Sequence, residues 1–286
     1  MDLKQRPCKG QSTGQTKVEQ DTWVAHATDA NKLIKTENYE IHSSTQTIAR
    51  EKATKLTTGQ DIMATNEWLL IRAAGQTDAF GQHDRTWFSP VGHNLYLTYV
   101  IPWPHMHAHA LVYLPQSSTM AVAQTLQAFD LHPQIRWIND VFANKKKVCG
   151  VLCEKKGTIF QRHYDVVLIG IGLNVNMPQA CIPYMDQPIT SMAIETGNTF
   201  SKETVLKRLN QNLLTQYQTL IQEGFSALHP YIQRHMLYIG EWVKVENQGK
   251  EVHGLFEGLA PSGAIILKTK EGIRANLCSG RMLKMV

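Results

Sequence analysis

The stretch best suited to chemistry runs from Arg136 to Glu154. A strand end delivers Asn139 and Asp140 into a turn, three lysines (Lys145, Lys146, Lys147) follow, and a second strand begins. Aspartate can hold a hard cation through oxygen, and lysine can neutralise phosphate charge. Together they are what a magnesium–nucleotide site needs. A solvated hairpin with a lysine-rich turn accounts for the same residues, since charge runs usually face water.

Two further segments carry polar groups where a ligand could meet them. Gln76 to Pro90 is a polar loop between strands. In it Gly81 permits close backbone approach and Arg85 can meet a phosphate bidentately. With only Gly75 and Gly81 it is not a glycine-rich phosphate loop, and an ordinary surface loop reads equally from the residues. Gly170-Ile171-Gly172-Leu173-Asn174-Val175-Asn176 places glycines inside a β-run. That pattern marks either a ligand pressed against the backbone or close packing against a helix. Asn174 and Asn176 share one face of such a strand. His105, His107 and His109 alternate after Pro102-Trp103-Pro104. The prolines argue for a loop and no acidic or cysteine partner is near, so exposed histidines are expected rather than a metal site.

These residues need elements to hold them. Ser43-Ser44-Thr45 can cap a helix in which Ile48, Ala49, Ala53 and Leu56 recur at helical spacing. Strands are predicted at Trp68–Ala74, Asn94–Ile101, Gln134–Trp137, Val148–Glu154 and Val166–Val175, the last almost wholly apolar and central. Helices are predicted at Thr119–Phe129 and Lys202–Glu223; the second has an apolar stripe through Val205, Leu209, Leu213, Tyr217 and Leu220. After about Met236, short strands at Glu241–Glu246, Glu251–Leu259 and Ala264–Lys268 alternate with glycines, as in a small all-β barrel. Residues Met1 to Asn38 show no strong period and read as a polar extension.

Composition bounds the function. The 286 residues are 43% hydrophobic, enough for a real core, and a prior of about 150 residues per domain suggests one large domain and a smaller one. No apolar run approaches the roughly 20 residues of a membrane span. The polar start lacks a signal core. Five cysteines, Cys149 and Cys153 among them, make neither a disulfide framework nor a zinc ribbon, so reduced thiols and a cytoplasmic setting are expected. The net charge of +5 is too mild for a nucleic-acid coat. Between Arg136 and Arg162 seven basic residues face two acidic ones, which accounts for all of it.

Taken together and in this order, the segments resemble the biotin protein ligase family. Ser43-Ser44-Thr45-Gln46 resembles its Ser-Ser-Thr-Asn box, and Gln76 to Trp87 stand where it has a Gln-Thr-Ala-Gly-Arg-Gly-Arg loop ending in tryptophan. Arg136-Trp137-Ile138-Asn139-Asp140 with Lys147 and Gly150 resembles its Lys-Trp-Pro-Asn-Asp motif and following lysine and glycine. Ile169 to Asn176 match its Ile-Gly-x-Gly-x-Asn-x-Asn pattern, and Thr190-Ser191 its later Thr-Ser pair. The likeness covers roughly Ile41 to Met285.

The resemblance implies an α+β fold: a mixed β-sheet flanked by helices, then a small C-terminal SH3-like barrel. It implies an extension at residues 1–38, a biotin- and ATP-binding catalytic domain at 39–234 and the barrel at 235–286, without an N-terminal DNA-binding domain. The implied activity is formation of biotinyl-5′-AMP from biotin and ATP, then transfer of biotin to a lysine of a biotin carboxyl carrier domain. Lys147, Arg85 and Asp140 are implied as catalytic. Ser44, Thr45, Gln76, Gly81, Lys147, Gly150, Gly170 and Gly172 are implied at biotin. Gln82, Arg85, Trp87, Asn139, Asp140, Lys147 and Asn174 are implied at ATP, with Asp140 helping to hold Mg²⁺. Neither DNA nor a membrane is an implied partner; a homodimer is left open. The sequence departs from the family where Gly-Arg-Gly-Arg reads Ala79-Phe80-Gly81-Gln82, removing two arginines. A lipoate or octanoate ligase, a non-catalytic biotin-binding relative and a bifunctional repressor stand as alternatives.

Overall fold

The computed structural model describes residues 17–24, 33–61, 63–64, 66–82, 85–159, 162–182, 188–247 and 249–285. Strands β1 (Lys17–Val24) and β2 (Leu33–His42) lead into helix α1 (Thr45–Thr57), then β3 (Glu67–Gln76) and β4 (Leu95–Pro104). A 3-10 segment, His105–Tyr113, precedes α2 (Leu114–Gln127), β5 (Pro133–Arg136), β6 (Asp140–Ala143), β7 (Lys146–Ile159) and β8 (Tyr164–Leu173). Helices α3 (Met192–Thr196), α4 (Lys202–Gln222) and α5 (Phe225–His235) follow. The chain ends in β9 (Trp242–Asn247), β10 (Lys250–Leu259), β11 (Ile265–Lys268), β12 (Arg274–Leu277) and β13 (Arg281–Lys284).

The chain divides into two compact units: residues up to His105 with Leu152–Lys207, and Met106–Val151 with Arg208 onward. Strand β7 passes from the second into the first at Val151. The larger sheet has the order β1-β2-β3-β4-β8-β7-β6-β5, and the smaller the order β12-β11-β10-β9-β13. In the larger, β2 and β3 run parallel, while β3, β4 and β8 pair antiparallel. The smaller is antiparallel throughout. This is the mixed sheet with helices and a small C-terminal all-β sheet that the sequence predicted.

In the first unit, Ile48, Ala49, Ala53 and Leu56 of α1 pack on Ile71, Val100, Val166 and Leu168. Burying each such large aliphatic side chain contributes about 1.5–3 kcal/mol, which fixes the helix whose first turn carries the Ser-Thr box. Ser44 caps it, its hydroxyl accepting from the Gln46 amide. In the second unit, α2 packs on β5, β6 and α5.

Several expectations need correction. Lys17–Val24 and Leu33–Asn38, read as extension, are strands that pair antiparallel, and Ile34, Thr36 and Glu37 are buried in the second. Pro102 and Pro104 lie in β4 rather than a loop: β4 pairs with β3 as far as Val100 and with β8 as far as Pro104. A proline is tolerated where its missing N–H has no partner to serve. The three histidines consequently sit in a 3-10 segment, not an alternating strand. Cys149, Cys153 and Cys278 form no disulfide, whereas Cys181 is disulfide-bonded. An odd cysteine count rules out a complete framework but not a single bridge. No helix among the described residues is long and apolar enough to cross a membrane.

Candidate active site

The lysine-bearing segment folds as two successive hairpins in the second unit. Arg136 pairs across from Asp140, closing the β5–β6 turn, and Asp140 pairs across from Gly150 of β7. Asn144 and Lys145 join β6 to β7 with φ of 47° and 61°, the left-handed pair that a tight two-residue hairpin turn requires. Lys145 is therefore exposed at the turn. Lys147, two residues on, turns inward and places Nζ 2.6 Å from Asp140 Oδ1. Arg136 donates through Nη2 to Oδ2 of the same carboxylate and lies over the Phe142 ring. The run thus turns Lys145 to solvent and Lys147 toward Asp140.

This cluster carries two cations on one buried anion. Burial alone pushes the Asp140 carboxyl up, but Lys147 and Arg136 outweigh it and hold the group below the usual range. Asp140 does not fit as a magnesium ligand, because each of its oxygens already faces a cation. The group reads as the anchor of two positive side chains. No cluster of three metal-ligating side chains occurs among the described residues, His105, His107 and His109 included. Asn139 is tied reciprocally to Val151: its Nδ2 donates to the Val151 carbonyl at 2.8 Å and its own carbonyl accepts from the Val151 amide at 2.8 Å. Gly150 stands beside Cys149, whose thiol burial pushes up, as suits a small apolar filler.

The first unit holds a second polar group around the start of α1. Gln76 Oε1 accepts from the Thr45 backbone at 2.8 Å and from its hydroxyl at 3.2 Å, and Gln76 Nε2 donates to Ser89 Oγ at 3.0 Å. Thr98 on β4 donates to Thr45 Oγ1 at 2.9 Å or to Gln46 Oε1 at 3.0 Å. Ser44, Thr45, Gln46, Ser89 and Thr98 are all buried. Hydroxyls and amides in a dry wall can donate and accept, as recognition of a neutral polar ring needs. Gln46 and Ser89 lie in segments the sequence singled out but were given no role, and Thr98 was not singled out; it sits in an apolar strand where a hydroxyl is the visible irregularity.

The two sides of the loop after Gln76 pair with each other. Phe80 bridges to Thr86, the Gly81 amide donates to the Arg85 carbonyl, and the Trp87 amide to that of Ala79. Arg85 is exposed and Gln82 half-buried.

The glycine pattern departs from the ligand-contact expectation. A Cβ on Gly170 would meet Gln46 Oε1 at 2.6 Å, and one on Gly172 would meet Trp87 Cε2 at 2.4 Å. These glycines make room for protein side chains, because β8 lies directly beneath α1 and the hairpin end. Asn174 is buried and engaged, donating to the Thr190 carbonyl and accepting from Asn94. The structure gathers Ser44, Thr45, Gln76, Trp87, Gly170, Gly172 and Asn174 in the first unit, and Asn139, Asp140, Lys147 and Gly150 in the second.

Residues 39–174 match the biotin/lipoate A/B protein ligase family, and residues 238–276 match the biotin protein ligase C-terminal domain. Residues 39–174 thus form a catalytic domain of the biotin/lipoate ligase type and residues 238–276 a biotin protein ligase C-terminal domain. The bifunctional ligase/repressor BirA of Bacillus spizizenii is 26% identical over 237 residues, covering 82% of this chain and 70% of that protein. A biotin–[acetyl-CoA-carboxylase] ligase of Paracoccus denitrificans is 28% identical, covering 77% of this chain and 90% of its own. The biotin protein ligase of Aquifex aeolicus, solved with biotin and ATP, superposes with a TM-score of 0.73 at 25% identity, over 87% of this chain and 97% of that one.

Proposed function

We propose that this protein is an ATP-dependent biotin–protein ligase that makes biotinyl-5′-AMP and passes biotin to a lysine of a biotin carboxyl carrier domain. The observation that carries this reading is the buried Asp140 holding Lys147 and Arg136, a net positive cluster in a family that joins a carboxylate to a nucleotide.

Biotin's carboxylate and the triphosphate are both anions, so their approach needs fixed positive charge. Lys147, aimed by Asp140, is the residue we assign to the carboxylate and α-phosphate, and Arg85 to phosphate. A carboxylate oxygen bonds to the α-phosphorus, the bond to the bridging oxygen breaks, and pyrophosphate leaves. The acceptor lysine, as the free amine, then bonds to the acyl carbon and AMP departs with the electron pair. Ser44, Thr45 and Gln76 are assigned to the ureido end, with Ser44 also capping the helix that begins at Thr45, and Gly81, Gln82 and Trp87 to the loop over the nucleotide. A magnesium ion travelling on the nucleotide's phosphates would supply further neutralisation.

The same reading takes residues 39–234 as catalytic and 235–286 as the SH3-like domain, in the cytoplasm. The local positive charge of Arg136–Arg162 suits an acidic carrier domain. A homodimer belongs to this reading too, and sedimentation velocity tests it. ATP–pyrophosphate exchange with biotin and with lipoate in parallel tests the function. Exchange with biotin alone supports it, lipoate alone replaces the substrate, and neither favours a non-catalytic relative.

A further inference from the structure

The polar group around Thr45 continues beyond the residues assigned to biotin. Gln46 Nε2 donates to Glu154 Oε2 at 2.8 Å. Arg50, one turn along α1, grips the same carboxylate twice, Nε to Oε2 at 3.0 Å and Nη2 to Oε1 at 2.6 Å. The Arg50 guanidinium also lies over the Phe80 ring, Cζ 4.6 Å from its centroid. Phe80 begins the hairpin that closes at Thr86. Glu154 is thus the meeting point of the helix bearing the Ser-Thr box and the loop above it. The position that holds arginine in the family's loop pattern holds the ring here, and the cation comes from the helix instead. A cation over an aromatic face is attractive, and a bidentate carboxylate fixes the guanidinium plane.

We propose that Glu154 is a positioning residue. Through Gln46, Arg50 and Phe80 it locks the 79–87 hairpin to the Thr45 box, so that loop order and biotin affinity rise and fall together. The first half stands on the geometry; the second rests on the function proposed above. Loss of the carboxylate leaves Arg50 without its anchor and Gln46 Nε2 without its acceptor, loosening the box and the loop at once.

Two measurements on the full chain test this. Hydrogen exchange without ligand reads the loop: protection of the Gly81 and Trp87 amides should fall about tenfold in Glu154→Ala and Phe80→Ala. It should be retained in Phe80→Tyr, which keeps the ring. Pyrophosphate exchange reads the site: the biotin KM should rise about tenfold in Glu154→Ala and Phe80→Ala, with kcat within about twofold and Phe80→Tyr near wild type. Glu154→Gln, which keeps shape and one acceptor, should fall between and guards against a Glu154→Ala chain that does not fold. Unchanged loop protection in Glu154→Ala, Glu154→Gln and Phe80→Ala overturns the lock. A loosened loop with an unmoved biotin KM overturns its tie to biotin. Wild-type protein that exchanges no pyrophosphate with biotin sinks the functional reading instead, and the amide protection still decides the lock.

Discussion

Gly172 and Trp87 share a space that only a hydrogen at position 172 leaves open: a Cβ there would stand 2.4 Å from Trp87 Cε2. The Trp87 backbone is held, its carbonyl accepting from Ser89 Oγ, which in turn accepts from Gln76, so any room for a methyl group must come from the ring. Gly172→Ala should cost about 1–3 kcal/mol, read as a lowered denaturation midpoint. It should also weaken biotin binding if the shift reaches the Trp87 backbone, whose carbonyl holds the Ser89 hydroxyl that Gln76 donates to. A variant as stable as wild type would show that the ring has room.

Lys147→Ala should lower pyrophosphate exchange on the order of 10²–10³-fold. The fold should persist, because Asp140 keeps Arg136. Full activity in this variant would place the reacting carboxylate elsewhere.

Asp140→Asn removes the one anion between two cations. A broken buried pair typically costs about 3–5 kcal/mol, measurable at neutral pH by denaturant unfolding. The pH dependence follows from the lowered carboxyl of the folded state. The wild type's advantage is fully present above the ordinary value of 3.8 and is lost as pH falls through the lower folded value. The two curves should therefore stay apart from neutrality to about pH 4 and converge only in stronger acid. Convergence near pH 6 would mean that another group governs the difference.

Gln76→Ala strips the Thr45 amide and hydroxyl of their acceptor and Ser89 of its donor. Leaving buried polar groups unmatched costs about 1–3 kcal/mol, so both stability and biotin affinity should drop. Calorimetric titration with biotin checks the second, and unchanged affinity would remove Gln76 from the site.

The elements that sequence located best were those with long apolar signals. The apolar run of β8, the stripe of α4 and the hydroxyl cap before α1 all stand where their residues put them. Strand β6 escaped because Asp140–Ala143 is only four residues and all are buried, so no alternation exists to see. Helix α5 carries Phe225, Leu228 and Ile232 on one face, but Pro230 interrupts the pattern that would have shown it. The choice of lysine in the Lys145–Lys147 run is made by hairpin register, which depends on two left-handed residues at the turn. Glu154 could not be read at all: Arg50 reaches it across 104 positions of sequence, where no local period operates.

The two prolines of β4 have a bearing on how this protein keeps company. Beyond Val100, among the described residues, β4 continues beside β8 alone. A strand's outer edge ordinarily offers its amide hydrogens to a strand from another chain. Pro102 and Pro104 offer no hydrogens for that stranger to bind. Two residues without a backbone N–H thus shorten the row of donors that this stretch of the sheet can present.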